Sequence, residues 1–207
     1  MSLRVAVLIS GEGTNLQALL DQVHGRGGVE IVAVAASTAD AGGLARAERA
    51  GVESRVFAIS EHPDRGARDR ELADWLDARD VGLVVLAGFM EVLTPGFIAR
   101  FAGRMINVHP ALLPAFPGLG AIQQALDYGV RITGVTVHFV DEGTDTGPVL
   151  LQEAFEVPYH RHDIAAIEQG IHEIEHRLLP EAVRLIAAGH VRVDRANPRL
   201  VRVDVPD

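Results

Sequence analysis

Cysteine is missing from all 207 residues. Its absence excludes disulfides, a thiolate nucleophile and cysteine-ligated metals. Long apolar runs are missing too, since nothing approaches the ~20 consecutive apolar residues of a membrane-spanning helix. The opening Leu3-Arg4-Val5-Ala6-Val7-Leu8-Ile9 is hydrophobic, but no basic region precedes it and it runs into Gly11-Glu12-Gly13. It reads as a first core strand, not as a signal peptide. Positive charge is scarce: 19 basic residues against 28 acidic ones leave a net charge of −9. So acidic a surface opposes phosphodiester backbones and disfavours wholesale nucleic-acid binding. A small anion can still be held by a local cluster of backbone amides. Repeats, low-complexity tracts and domain-separating linkers are also lacking. What is present, 48 % hydrophobic and 23 % charged residues, is the balance of an ordinary globular protein. The length suits one domain with a full core, over residues 1–207, and a cytoplasmic location is expected.

Short β-branched runs alternate with helix-period segments through the first two-thirds of the chain. The strand candidates are Arg4–Ser10, Val29–Ala36, Ser54–Ile59, Val81–Ala87 and Arg104–Val108. Between them, Leu16, Leu19, Leu20 and Val23 share one helix face, as do Leu72, Trp75 and Leu76. Alternating β and α with near-continuous apolar strands predicts an α/β fold. The expected form is an open, mostly parallel, Rossmann-like twisted sheet with helices on both faces. Towards the C-terminus antiparallel additions are expected. Two extended runs between Ile132 and Val157 are broken by the loop-forming Asp141-Glu142-Gly143-Thr144-Asp145-Thr146-Gly147-Pro148. A long helix from about Asp163 to Ala188, kinked at Pro180, and a short hairpin from His190 complete the expectation.

Ser10-Gly11-Glu12-Gly13-Thr14-Asn15-Leu16 joins the first strand to the first helix. In open α/β sheets ligands bind beyond the carboxyl ends of the strands. Glycines permit a tight turn, and the N–H groups of the first helical turn then point at an anion. Thr14 or Asn15 is a candidate cap. Leu16 stands where the dinucleotide fingerprint needs its third glycine, and the Gly-Lys-Ser/Thr of a P-loop is lacking. A single phosphate therefore fits better than a dinucleotide or triphosphate. A plain capped turn fits this segment equally well.

Met105-Ile106-Asn107-Val108-His109-Pro110 puts two polar side chains at the end of a buried strand. Period-two alternation points Asn107 and His109 to one face. An amide beside an imidazole can hold a developing oxyanion and manage a proton. Neither is a nucleophile, which favours direct transfer between bound substrates. A carboxylate should set the protonation state of the imidazole. Asp145 leads the candidates, with Asp141 and Glu142 close behind. An Asn-x-His pair taken alone also suits a purely structural strand end.

The glycine turn, Leu86-Ala87-Gly88-Phe89-Met90, and Ile106-Asn107-Val108-His109-Pro110-Ala111-Leu112-Leu113-Pro114 with Phe116-Pro117-Gly118 resemble the glycinamide ribonucleotide formyltransferases, a branch of the folate-dependent formyltransferase family. Thr133 to Val140 and Asp145-Thr146-Gly147-Pro148 extend the resemblance over nearly the whole chain, in the family's order. It implies formyl transfer from 10-formyltetrahydrofolate to the amine of glycinamide ribonucleotide in purine synthesis. Asn107, His109 and Asp145 would form the catalytic trio. Gly13, Thr14 and Asn15 would bind the acceptor's phosphate and Glu175 its amine. Phe89, Met90, Val92, Asn107, Val140 and Asp141 would line the folate, with His138 and Arg65 in support. Residues 1–103 would form the acceptor-phosphate half, and 104–207 the folate-binding and catalytic half. No metal is implied, no nucleic acid or membrane partner is expected, and an oligomer is compatible.

Glu175 has separate support. Ile164, Ile167, Ile171, Ile174 and Leu178 form an apolar stripe, and Glu175 lies roughly 60° from its centre at ~100° per residue. Two departures from the family's pattern stand out. Glu91 follows Met90 where such enzymes usually have Arg, which bears on contacts with the folate's acidic tail. Leu119-Gly120-Ala121-Ile122 carries no histidine, so no imidazole from that loop reaches the acceptor's phosphate. His160 and His162 sit in a polar loop and resemble metal ligands only by proximity.

Other readings share part of this signature. A methionyl-tRNA formyltransferase carries the core block with an added C-terminal domain, and a formyltetrahydrofolate hydrolase carries it behind an N-terminal regulatory domain. Neither extension is expected here. A non-catalytic folate- or phosphate-binding module would explain the turn but not the trio.

Overall fold

The structure, a computed structural model, describes residues 2–158, 164–194 and 196–204. Two compact units make up the chain, Met1–Ile106 and Asn107–Asp207.

The first unit contains β1 (Leu3–Ile9), α1 (Thr14–Gln22), β2 (Val29–Ala36), α2 (Gly43–Arg49), β3 (Ser54–Val56), α3 (Arg65–Asp77), β4 (Leu83–Leu86) and α4 (Pro95–Arg100). Its strand order is β3-β2-β1-β4, and β1 pairs in parallel with both β2 and β4. Val5 to Ile9 are fully buried. A strand covered on both faces needs such an unbroken apolar run, which is why no polar alternation appears in it. Parallel pairing brings the carboxyl ends of β1 and β4 to one edge, where the glycine turn and the segment after Leu86 begin. β3 is shorter than its apolar run suggested, because the chain turns into a short 3₁₀ segment at Ile59–Glu61.

β5 (Met105–His109) crosses into the second unit, which continues with α5 (Ala121–Tyr128), β6 (Ile132–Phe139), β7 (Val149–Glu156), α6 (Ile164–Ala187), β8 (Val191–Val193) and β9 (Val201–Val203). There the order is β5-β6-β7, with β6 and β7 antiparallel. The loop between them holds Asp141 to Pro148. α6 packs on β6 and β7, and Pro180 lies inside it. β8 and β9 form the expected hairpin. Parallel pairing around β1, helices between strands and the antiparallel β6–β7 pair give the mostly parallel α/β fold that the sequence predicts.

The buried stripe of α6 differs from the expected one. Ile164 is exposed, and the stripe runs through Ile167, Ile171, Ile174, Leu179, Ala182 and Val183. Leu179 has taken the place expected of Leu178. That rotation carries the stripe towards Glu175, which is itself only 5 % exposed.

Candidate functional site

In the first unit, the glycine turn is shaped by close backbone approach. Gly13 occupies the N-cap position of α1 with φ 72, and no side chain caps the helix. The capping role expected of Thr14 or Asn15 is therefore not observed, since both already belong to the helix. A Cβ on Gly13 would lie 2.6 Å from Gly43 Cα, so only glycine fits a left-handed residue packed this tightly. Gly43 N–H donates to the Gly11 carbonyl at 3.2 Å. Arg46, from α2, donates through Nε to the Glu12 carbonyl at 2.8 Å and through Nη1 to Gln17 at 3.1 Å. α2 thus fixes the turn that opens α1, where N–H groups have no carbonyl inside the helix to bond.

The segment after β4 is held in the same unit. Ser10 N–H donates to the Gly88 carbonyl at 3.1 Å, and Ser10 Oγ accepts from Met90 N–H at 2.8 Å. Met90 and Val92 are 63 % and 65 % exposed, so the segment offers an apolar surface with its backbone pinned. Arg65, the first residue of α3, is exposed. Two residues that the sequence reading missed brace the segment from beneath. Arg68, wholly buried, lies under the Phe89 ring and donates to Asp69 at 2.6 Å. The other Asp69 oxygen accepts from Thr94 N–H at 2.6 Å. A signal existed: Arg68 stands four residues before Leu72, on the apolar face of the helix.

The second unit gathers the polar residues of β5, β6 and the loop after β6. Asp145 Oδ2 accepts from Gly118 N–H at 2.7 Å and lies 3.3 Å from His109 Nδ1. Asp145 Oδ1 accepts from Asn107 Nδ2 at 3.3 Å and lies 3.5 Å from His138 Nε2. The opposite ring nitrogen of His109, Nε2, donates to the Phe116 carbonyl at 2.8 Å. Both ring nitrogens thus face oxygen atoms. His138 donates through Nδ1 to the Phe139 carbonyl at 2.8 Å, and its Nε2 lies 3.2 Å from Asn107 Nδ2 and 3.5 Å from Asp145 Oδ1. His109 and His138 are buried. Burial pushes the Asp145 carboxyl up. The His138 imidazole, the Gly118 N–H and the charge on His109 outweigh it and hold the carboxyl below its ordinary value of 3.8.

Asp145 adopts φ 53, a left-handed backbone that Asp tolerates better than most residues. Its rival Asp141 is used differently: Oδ1 accepts from Thr146 Oγ1 at 2.6 Å and from Gly143 N–H at 3.1 Å, tying the loop together. Glu142 is exposed and Val140 half-buried. A Cβ on Gly147 would collide with the Phe139 carbonyl, so the loop can close over β6 only with glycine there. Asp145 is therefore the carboxylate that meets His109.

Among the described residues no group of three or more His, Cys, Asp or Glu side chains could hold a metal ion. No described helix is long and apolar enough to cross a membrane. His160 and His162 lie outside the described residues.

Residues 3–183 match the formyl transferase family. The chain belongs to that family. It is 40 % identical over 192 residues to phosphoribosylglycinamide formyltransferase of Haemophilus influenzae, covering 92 % of this chain and 90 % of the relative. It is 43 % identical over 192 residues to the bovine trifunctional purine biosynthetic protein adenosine-3, covering 92 % of this chain but only 19 % of that protein. The chain thus spans about a fifth of such multifunctional relatives. Among solved structures, glycinamide ribonucleotide transformylase 1 from Symbiobacterium toebii superposes with a TM-score of 0.92 at 44 % identity, over 98 % of this chain and 94 % of that one. The family carries a folate-derived formyl donor.

Proposed function

We propose that this formyl transferase moves the formyl group of 10-formyltetrahydrofolate onto the amine of glycinamide ribonucleotide, in purine synthesis and in the cytoplasm. The observation that carries this reading is the Asp145 carboxylate, shared between His109, Asn107 and the Gly118 N–H. The acceptor's amine nitrogen attacks the formyl carbon, and the carbonyl oxygen becomes an oxyanion. Asn107 and the imidazolium of His109 stabilise that oxyanion by turning N–H groups from Asp145 and the Phe116 carbonyl towards it. Asp145 keeps His109 charged, and directly or through a water it accepts the amine's proton. The tetrahedral adduct then collapses. Its carbon–nitrogen bond to the folate breaks, the electron pair goes to that folate nitrogen, and the proton is delivered there. The chain acts as one formyltransferase domain. Residues 1–103 serve the acceptor's phosphate and 104–207 the folate and the chemistry.

Gly13, Thr14 and Asn15 bind the phosphate through backbone N–H groups and the positive end of α1. Glu175, a buried carboxylate on the apolar stripe of α6, holds the acceptor's amine. Phe89, Met90, Val92, Asn107, Val140 and Asp141 serve the folate donor. Arg65 and His138 support the site. The purified protein, given both substrates, should yield formylated acceptor and tetrahydrofolate in equal amounts. Formate release with no transfer to the acceptor would instead mark a hydrolase. Binding of the folate without turnover would mark a non-catalytic module.

A further inference from the structure

The hairpin β8–β9 lies past residue 183, where the family match ends. Its turn is firmly tied. Asp194 accepts from the N–H groups of Ala196 at 2.8 Å and Asn197 at 3.2 Å, and from Arg202 Nη2 at 2.6 Å. Asp194 N–H donates to the Leu200 carbonyl at 2.8 Å, and Leu200 N–H to the Asn197 carbonyl at 2.9 Å. Asn197 Oδ1 accepts from Arg199 N–H at 3.1 Å. β9 packs against β7, which anchors the hairpin to the strand leaving the Asp145 loop. From this fixed turn Arg199 extends its guanidinium to the Thr146 carbonyl, donating through Nη1 at 2.6 Å. The Thr146 carbonyl belongs to the residue directly after Asp145.

We propose that Arg199 is a positioning residue for the Asp145 carboxylate, so that the C-terminal hairpin acts as a strut of the catalytic loop. The loop needs such support from outside. Asp145 holds a left-handed φ of 53, and the ties within the loop, Asp141 to Gly143 and Thr146, involve side-chain and N–H groups. Arg199 grips the carbonyl that the loop's own ties leave to others. A charged donor on a carbonyl is among the stronger neutral-acceptor hydrogen bonds. Its loss lets the peptide after Asp145 rock, which moves the carboxylate relative to His109 and Asn107 without removing any group that touches substrate.

This inference rests on the formyl-transfer reading, and its test separates the two. Arg199→Ala should lower kcat roughly two- to tenfold, leave both KM values within about twofold, and leave Tm close to that of the wild type. Arg199→Lys, which keeps a charged donor, should recover part of the loss. Arg202→Ala loosens the same hairpin through Asp194 without removing the donor to Thr146, and should lower kcat less than Arg199→Ala does. The Asp145 carboxyl titration, followed by carbon-13 NMR, should move up towards 3.8 in Arg199→Ala. An unchanged kcat and titration in Arg199→Ala would overturn the strut, as would Arg202→Ala lowering kcat equally. A wild type that transfers no formyl group would sink the functional reading instead, and the titration would still report whether Arg199 holds Asp145.

Discussion

The glycine turn after β1 and the loop after β6 both follow a strand end, yet they are made of opposite materials. The turn presents backbone. Gly13 and Gly43 bring main chains into contact, and no side chain caps α1. The β6 loop presents side chains, with Asp145 reaching Asn107, His109 and His138. A backbone site binds through shape and should tolerate side-chain changes that leave φ and spacing alone. A side-chain site fails when one functional group is lost, even though the fold survives.

The sharpest separation of the two should come from Asn107→Ala. An oxyanion donor acts mainly in the transition state, so kcat should fall on the order of 10²–10³ while both KM values move little. Steady-state kinetics on a variant with wild-type circular dichroism checks this. Near-normal turnover would remove Asn107 from the mechanism.

Glu175→Gln should come next. It keeps the shape and one acceptor oxygen but loses the charge, so the acceptor KM should rise roughly tenfold. The folate KM and the kcat at saturation should change less. A folate KM that rises alone would move Glu175 to the other half of the reaction.

At the turn, Gly13→Ala and Thr14→Ala form the contrasting pair. Gly13→Ala combines a strained φ with a Cβ 2.6 Å from Gly43 Cα. It should cost ~1–3 kcal/mol of stability and raise the acceptor KM. Thr14→Ala removes a side chain that caps nothing, so the acceptor KM should stay within about twofold of the wild type's. Equal damage from both changes would mean that Thr14's hydroxyl, not the backbone, binds the phosphate.

How much of this could be read from the sequence differed between the same two regions. Asn107 and His109 were legible as a polar pair on one strand face, because buried polar side chains at period two are costly unless they find partners. The parallel strands were legible from their unbroken apolar runs. Asp145 led Asp141 and Glu142 only narrowly before the family resemblance favoured it, because spacing says nothing about which carboxylate turns inward. Backbone φ and the ties of Asp141 decide that, and both are properties of the closed loop. The turn's glycines were visible, but Gly13 as N-cap was not, since its reason is Gly43 about thirty residues away. Glu175 was placed at the edge of a stripe that turns out to be rotated, and packing on β6 and β7 set that rotation. Arg68 left a trace in its helical spacing. Arg199 left none, because its partner is a main-chain carbonyl.

A smaller effect concerns acid. The folded Asp145 carboxyl lies below its ordinary 3.8, so the unfolded chain takes up its proton first as pH falls. The stability this group contributes is full above 3.8 and is lost as pH drops through the lowered folded value. The difference in unfolding free energy between wild type and Asp145→Asn should therefore be flat above pH ~4 and shrink below it. Denaturant melts across that range would show it, and a difference that grows on acidification would contradict the direction of the shift.

The most direct measurement of the central claim is formyl transfer by Asp145→Asn under saturating donor and acceptor. The substitution keeps size and loop geometry but removes the charge that faces His109 at 3.3 Å. If the carboxylate keeps the imidazole charged and accepts the amine's proton, kcat should fall by at least about 10²-fold, with both KM values nearly unchanged. A turnover within a few-fold of the wild type's would contradict the account, because the trio would then work without its carboxylate.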